Sequence, residues 1–146
     1  MFVERKEDLS IYYWLKTLFS SYPFITIVDG FPSTDLVIPS ASVEPETIEV
    51  VDFQLGDREG LRMRTWYLDI FAKNKTQRDE FAYKILDALK DGVPVYDYDI
   101  SIPSNTEIGH LDILKRRMYI HRIDPELVST MYYRATVSVL AVNDRL

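Results

Sequence analysis

Arg62-Met-Arg-Thr-Trp-Tyr-Leu-Asp-Ile-Phe-Ala72 is the stretch that decides how this chain folds. Successive side chains of a strand point to opposite faces. Trp66, Leu68, Ile70 and Ala72 therefore share one face, while Met63, Thr65, Tyr67, Asp69 and Phe71 share the other. The first face is core. The second sets two aromatics beside an acid and calls for a cover, either a helix or a neighbouring subunit. The next residues spell a helix. Thr76 is placed as its N-cap, with Asp79 three residues on in capping-box position. Asp79 and Glu80 in the first turn and Lys90 in the last suit the helix dipole. Phe81, Ala82, Ile85, Ala88 and Leu89 form a buried stripe, Gly92 supplies the C-terminal cap and Pro94 bars continuation. Val93 to Tyr98 then returns as a strand.

Working outward, Leu9 to Tyr22 reads as a first helix. Ile11, Trp14, Leu15, Leu18 and Tyr22 make one apolar stripe, Asp8 is its candidate N-cap and Pro23 its stop. The stripe fits docking on a sheet; a membrane surface or a partner's groove is the alternative. Phe24 to Val28 is a short strand closed by the turn Asp29-Gly30-Phe-Pro32. Leu36 to Ile38 runs extended into Pro39, which places it at a sheet edge or strand end. Thr47 to Phe53 alternates as a strand, and Gln54 to Gly60 is a loop that makes it antiparallel to the strand from Arg62. Beyond the second helix, Ile100 to Gly109 is a loop. His110 to Leu114 and Arg117 to Ile123 are one bent strand or a hairpin around Lys115-Arg116. Pro125 breaks the pattern. Met131 to Val142 is a long strand with Met131, Tyr133, Ala135, Val137, Val139 and Ala141 on one face and Arg134, Thr136 and Ser138 on the other. This order predicts an α+β fold: a mostly antiparallel sheet or sandwich with two main helices packed on it, as a single domain over residues 1–146.

Composition removes several classes of function. A net charge of −6 does not suit phosphate-backbone binding, and Lys115-Arg116-Arg117 is too short a basic run to reverse that. With no cysteine there are no disulfides or thiolate metal sites. Met1-Phe-Val runs straight into Glu4-Arg-Lys-Glu-Asp8, unlike a secretion signal, and no apolar run is long enough to span a membrane. Ten tyrosines supply apolar area with a polar tip, the composition of surfaces that become buried against a partner.

The residues offer little chemistry. Asp97 and Asp99 could hold a hard cation, but a calcium loop counted from Asp97 has Ile102 where Gly is needed and Ile108 where the closing Glu belongs. His110 and His121 lack zinc spacing, no nucleophile elbow occurs, and the glycines form no phosphate cradle. The expectation is a chain that is not an enzyme and takes neither cofactor nor metal. The competing enzyme reading requires a pocket joining His110 or His121 to a carboxylate.

Three blocks resemble the tail-terminator (tail-completion) proteins of long-tailed bacteriophages. They are Arg64 to Ala72 with Asn74 to Glu80; Ile85 to Leu89 through Val93-Pro-Val-Tyr-Asp-Tyr98; and Tyr132-Tyr-Arg-Ala-Thr-Val137. The N-terminal third agrees only in plan. The resemblance implies a virion protein of the tail or neck, assembled in the host cytoplasm as a homo-oligomer, in that family a hexameric ring. Such a ring ends polymerisation of the tail tube protein, meets a head-closure or neck protein, and lets DNA pass its lumen without specific binding and without any membrane. The family supplies no catalytic residue. Ring contacts are heterologous and bury about 800 Å² per partner, and Arg62, Arg64, Tyr67, Phe71, Tyr96, Tyr98, Tyr132 and Arg134 are the candidates for that surface. Another neck component, or a small monomeric binding module built on the Ile102 to Gly109 loop, are the alternatives.

Overall fold

In the computed structural model, residues 1–30, 37–51, 61–121 and 133–145 are described. Helix α1 spans Val3–Leu18, followed by β1 (Thr26–Asp29), β2 (Ser40–Val51), β3 (Leu61–Ala72), α2 (Lys75–Ala88) with a 3-10 turn at Leu89–Asp91, β4 (Val93–Tyr96), β5 (Glu107–Ile120) and β6 (Tyr133–Arg145). The fold is α+β, as the alternation and helical periodicities require. Six strands form one sheet in the order β1-β2-β3-β6-β5-β4. Every pairing is antiparallel except β1 with β2.

Strand β3 lies inside the sheet, and its alternation sets the layers. Trp66, Leu68, Ile70 and Ala72 join Val43 of β2, Ala135, Val137 and Val139 of β6, and Val93 and Val95 of β4 in one core. Both helices cover this face: Ile11 and Leu15 come from α1, Phe81, Ala82 and Ile85 from α2. Each of the larger side chains, such as Leu15, Leu68, Ile70, Phe81 and Ile85, contributes about 1.5–3 kcal/mol on burial. No helix among the described residues is long and apolar enough to cross a membrane.

Helix α1 begins six residues before the expected Leu9. Phe2 is its N-cap and provides no side-chain cap bond; Asp8 is not a cap but a buried mid-helix residue. The charged run Glu4 to Asp8 is helical because its side chains have partners elsewhere. Arg5 pairs with Asp29 at 2.7 Å and Lys6 with Asp97 and Asp99, each at 2.9 Å. Helix α2 is capped two residues earlier than expected. Asn74 Oδ1, not Thr76, accepts from the Gln77 N–H at 2.8 Å, while Gln77 Oε1 accepts from the Lys73 N–H at 2.9 Å. This Asn–x–x–Gln arrangement satisfies two amides that would otherwise lack partners. Gly92 ends the turn with φ +74, where a Cβ would meet the His110 ring and the Leu111 carbonyl.

Strand β2 starts at Ser40, seven residues before the expected start. Ser40, Ala41 and Ser42 have little strand propensity, yet they lie buried between β1 and β3. The expected piece at residues 36–38 is not a strand at 37 and 38, and residue 36 lies outside the described residues. Strand β4 stops at Tyr96, so Asp97 and Tyr98 belong to the turn after it. Strand β5 is one strand with a bulge at Leu114, between Ile113↔Ala141 and Lys115↔Leu140. Residues 54–60, 125 and 131 lie outside the described residues.

Two edges follow from this topology. Strand β1 pairs with β2 only through Val43, and β4 pairs with β5 only through Leu111. Among the described residues, no strand covers the outer edge of β2 after Val43 or that of β5 after Leu111.

Candidate assembly surface

Arg62 and Arg64 project from the helix side of β3 and serve the subunit's own interior. Arg64 is 4% exposed, and its Nη1 donates to the Glu4 carbonyl at 2.9 Å and lies 3.1 Å from both Glu7 Oε1 and Asp8 Oδ1. Its guanidinium also stacks 4.5 Å from the Trp66 ring centre. The Trp66 indole N–H donates to Asp8 Oδ1 at 2.8 Å, which ties α1 to the middle of the sheet. Arg62 pairs with Glu4. The local signal was present in the facing charge runs, Glu4 to Asp8 and Arg62 to Arg64, but sequence does not say that they meet.

On the opposite face of β3, Asp69 is buried and accepts from Arg134 Nε at 3.1 Å, from Arg134 Nη2 at 2.9 Å and from the Thr136 hydroxyl. His121 Nε2 lies 2.7 Å from Thr136 Oγ1. Since the hydroxyl proton goes to Asp69, this nitrogen is the donor, a role that both the Nε2–H tautomer and the protonated ring fulfil. Burial and then the Arg134 charge push the His121 pKa down, with Asp69 opposing them. Phe71 is buried with the Arg134 guanidinium 5.3 Å from its ring centre. Tyr67, at 37% exposure, is the most open aromatic of β3.

The third group surrounds a cleft. Ser10 donates to the Lys6 carbonyl at 2.7 Å and accepts from the Tyr96 amide at 3.1 Å, fixing β4 to α1. Tyr98 is buried and stacks on Tyr13 at 5.6 Å; burial pushes its hydroxyl pKa up, and a hydrogen bond with Ser10 opposes this. Between α1 and the turn after β4 lies a cleft of about 590 Å³ lined by Tyr13, Trp14, Pro94, Tyr96, Tyr98 and Pro103. Asp97 and Asp99 lie nearby, but the Lys6 ammonium sits against both, the position a cation would take. Hydrogen bonds to Lys6 hold both carboxyl pKa values low. Among the described residues, no three His, Asp or Glu side chains gather to hold a metal.

The eight sequence candidates therefore divide. Arg64, Phe71 and Tyr98 are packed inside the subunit, Arg62 and Arg134 are ion-paired within it, and Tyr96 lines the cleft. Tyr67 is exposed, and Tyr132 lies outside the described residues. His110 approaches Asp112 at 3.0 Å on the surface, and His121 reaches Asp69 only through Thr136. Sequence reading passed over the exposed apolar residues of the open edges, Ile48 and Val50 of β2 and Leu114 and Ile120 of β5. Each reads as an ordinary strand residue until the missing neighbour is known.

No protein-family model matches the chain, and a comparison with curated proteins yields no match. Among solved structures, a chain from the virion of a native gene transfer agent particle aligns over 96% of this chain and 90% of its own, with a TM-score of 0.49 and 13% identity. A likeness of that degree identifies neither family nor role.

Proposed function

We propose that this chain is a structural protein of a phage virion, placed at the head–tail junction. There it forms a ring that caps the tail tube, ends tube polymerisation and docks the head connector. The observation that carries the reading is the set of sequence blocks resembling tail terminators. It is supported by their placement: the described parts of those blocks form β3, α2, β4 and β6, with β3 and β6 adjacent in the sheet. The role needs no catalytic residue, cofactor or metal. It needs a rigid sheet and side surfaces that accept another copy, and the two sheet edges left open among the described residues meet that need. In this reading the ring assembles in the host cytoplasm, and its acidic balance lets DNA pass without sticking.

The test is imaging of the purified protein over a wide concentration range, followed by mixing with tail tubes. A sixfold ring with an open centre, or capping that stops tube growth, is the expected result. A chain that stays monomeric and leaves tube growth unchanged refutes the reading. The cleft between α1 and the turn after β4 favours one other reading, a monomeric module binding a peptide or small ligand. In that case Trp14→Ala abolishes ligand binding and no ring forms.

A further inference from the structure

The two edges that no described strand covers lie at the same height on opposite sides of the sheet. Strand register links Glu44 to Tyr67, Tyr67 to Ser138 and Ser138 to Arg117 in one row. A second row runs Thr47, Thr65, Leu140, Lys115, and a third runs Glu49, Met63, Val142, Asp112. The open stretch of β2 from Glu44 is thus level with the open stretch of β5 from Asp112 to Arg117. Both edges are bulged within one row of each other, after Pro45 in β2 and at Leu114 in β5. Such bulges bend a strand and increase its twist.

The edges carry opposite charge. Between Glu44 and Val50, β2 bears Glu44, Glu46 and Glu49 and no base, while β5 bears Lys115, Arg116 and Arg117 in succession. Glu44, Glu49, Lys115 and Arg117 share the face away from the helices, as their rows show. None of these four has an ion-pair partner among the described residues, although Arg5, Lys6, Arg62, Arg64 and Arg134 all have one. Apolar side chains flank both sets: Ile48 is 46% and Val50 53% exposed on β2, Leu114 56% and Ile120 44% on β5.

We infer that the open edge of β2 pairs with the open edge of β5 on the next copy, acidic against basic, and so continues the sheet across the subunit boundary. Direction permits this. With β2-β3, β3-β6 and β6-β5 each antiparallel, β2 and β5 run oppositely. Copies related by rotation about an axis along the strands therefore bring β5 antiparallel to β2. The contact joins two different patches, as ring closure requires, and it satisfies the main-chain groups that a bare edge leaves open. Edge charges, prolines and bulges also serve to block unwanted pairing, but blocking requires neither opposite signs nor a common height. The inference rests on the ring reading only in that copies of the chain associate; it does not depend on where in the virion they act.

The experiment uses charge reversal. Glu44→Lys with Glu49→Lys makes both edges basic, and Lys115→Glu with Arg117→Glu makes both acidic. All four changes together exchange the signs and restore the match. Ring formation is followed by sedimentation and imaging, with circular dichroism as the control for folding, since these side chains have no ion-pair partner among the described residues. Opposed like charges across strands are unfavourable. Each double variant is expected to need at least about tenfold more protein for half-assembly, and the quadruple variant to recover rings. Rings that form normally in both double variants overturn the edge contact and leave the ring standing. Loss of rings without recovery in the quadruple variant overturns the charge match. A wild-type chain that stays monomeric, alone and with tail tubes, overturns this inference together with the ring.

Discussion

Replacing Asp8 with Ala removes one carboxylate that serves two partners. One is the indole N–H of Trp66 at 2.8 Å, the other Arg64 at 3.1 Å. Trp66 is fully buried and Arg64 is 4% exposed, so water does not replace what is lost. The stranded indole donor costs about 1–3 kcal/mol, and loss of the charged contact costs about 1.5–3 kcal/mol. Glu7 remains beside Arg64 at 3.1 Å and prevents a fully unpaired charge. The sum is about 2.5–6 kcal/mol, which brackets the cost of breaking a buried pair. With a urea slope of about 2 kcal/mol per molar, the unfolding midpoint falls by roughly 2 M. Asp8→Asn keeps the oxygen that accepts from Trp66 and loses only the charge, so it costs about half as much. The assay is a urea double-mutant cycle of Asp8→Ala with Trp66→Phe, in which a coupling of about 1–3 kcal/mol is expected. A cap at the helix end gives a different pattern, a cost of about 1 kcal/mol and no coupling to Trp66. That pattern refutes the tether between α1 and β3.

Asn74→Ala removes the N-cap of α2 and lowers stability by about 1 kcal/mol, whereas Thr76→Ala changes it by less than about 0.5 kcal/mol; equal effects in thermal melts contradict the cap assignment. His121 makes stability depend on pH near neutrality. Its folded pKa lies below the ordinary 6.5, so the unfolded chain binds the proton more readily. Stability contributed by neutral His121 is present above 6.5, falls as pH drops below that value, and levels off below the depressed folded pKa. Chemical denaturation of the wild type and His121→Gln from pH 8 to 5 checks this, since the variant lacks that part of the slope; identical slopes refute it.

Local periodicity was enough to read β3, α2 and β6, because a two-residue alternation and a 3.6-residue stripe are recorded in neighbouring residues. Alternation also assigned Trp66, Leu68, Ile70, Ala135 and Val137 to the core. The candidate surface was much less legible. Arg64, Phe71 and Tyr98 looked available because each alternates onto a face whose cover is not written nearby. Arg64 is covered by Glu7 and Asp8 of α1, and Tyr98 by Tyr13. Likewise Ser40 to Ser42, weak as strand formers, are held in the sheet by β1 and β3 on either side.

The sequence by itself determined the two helices and the main long strands, the core-facing side of β3 and the absence of thiol chemistry, all consequences of residue identity and short-range spacing. The tertiary structure decided which charges are spent inside the subunit and which remain at its edges. Glu7 and Arg64 neutralise each other across the core, while Glu44 and Arg117 occupy opposite ends of one row. That division depends on strand order and register, which bring together or hold apart residues far apart in the chain, and no local pattern encodes it.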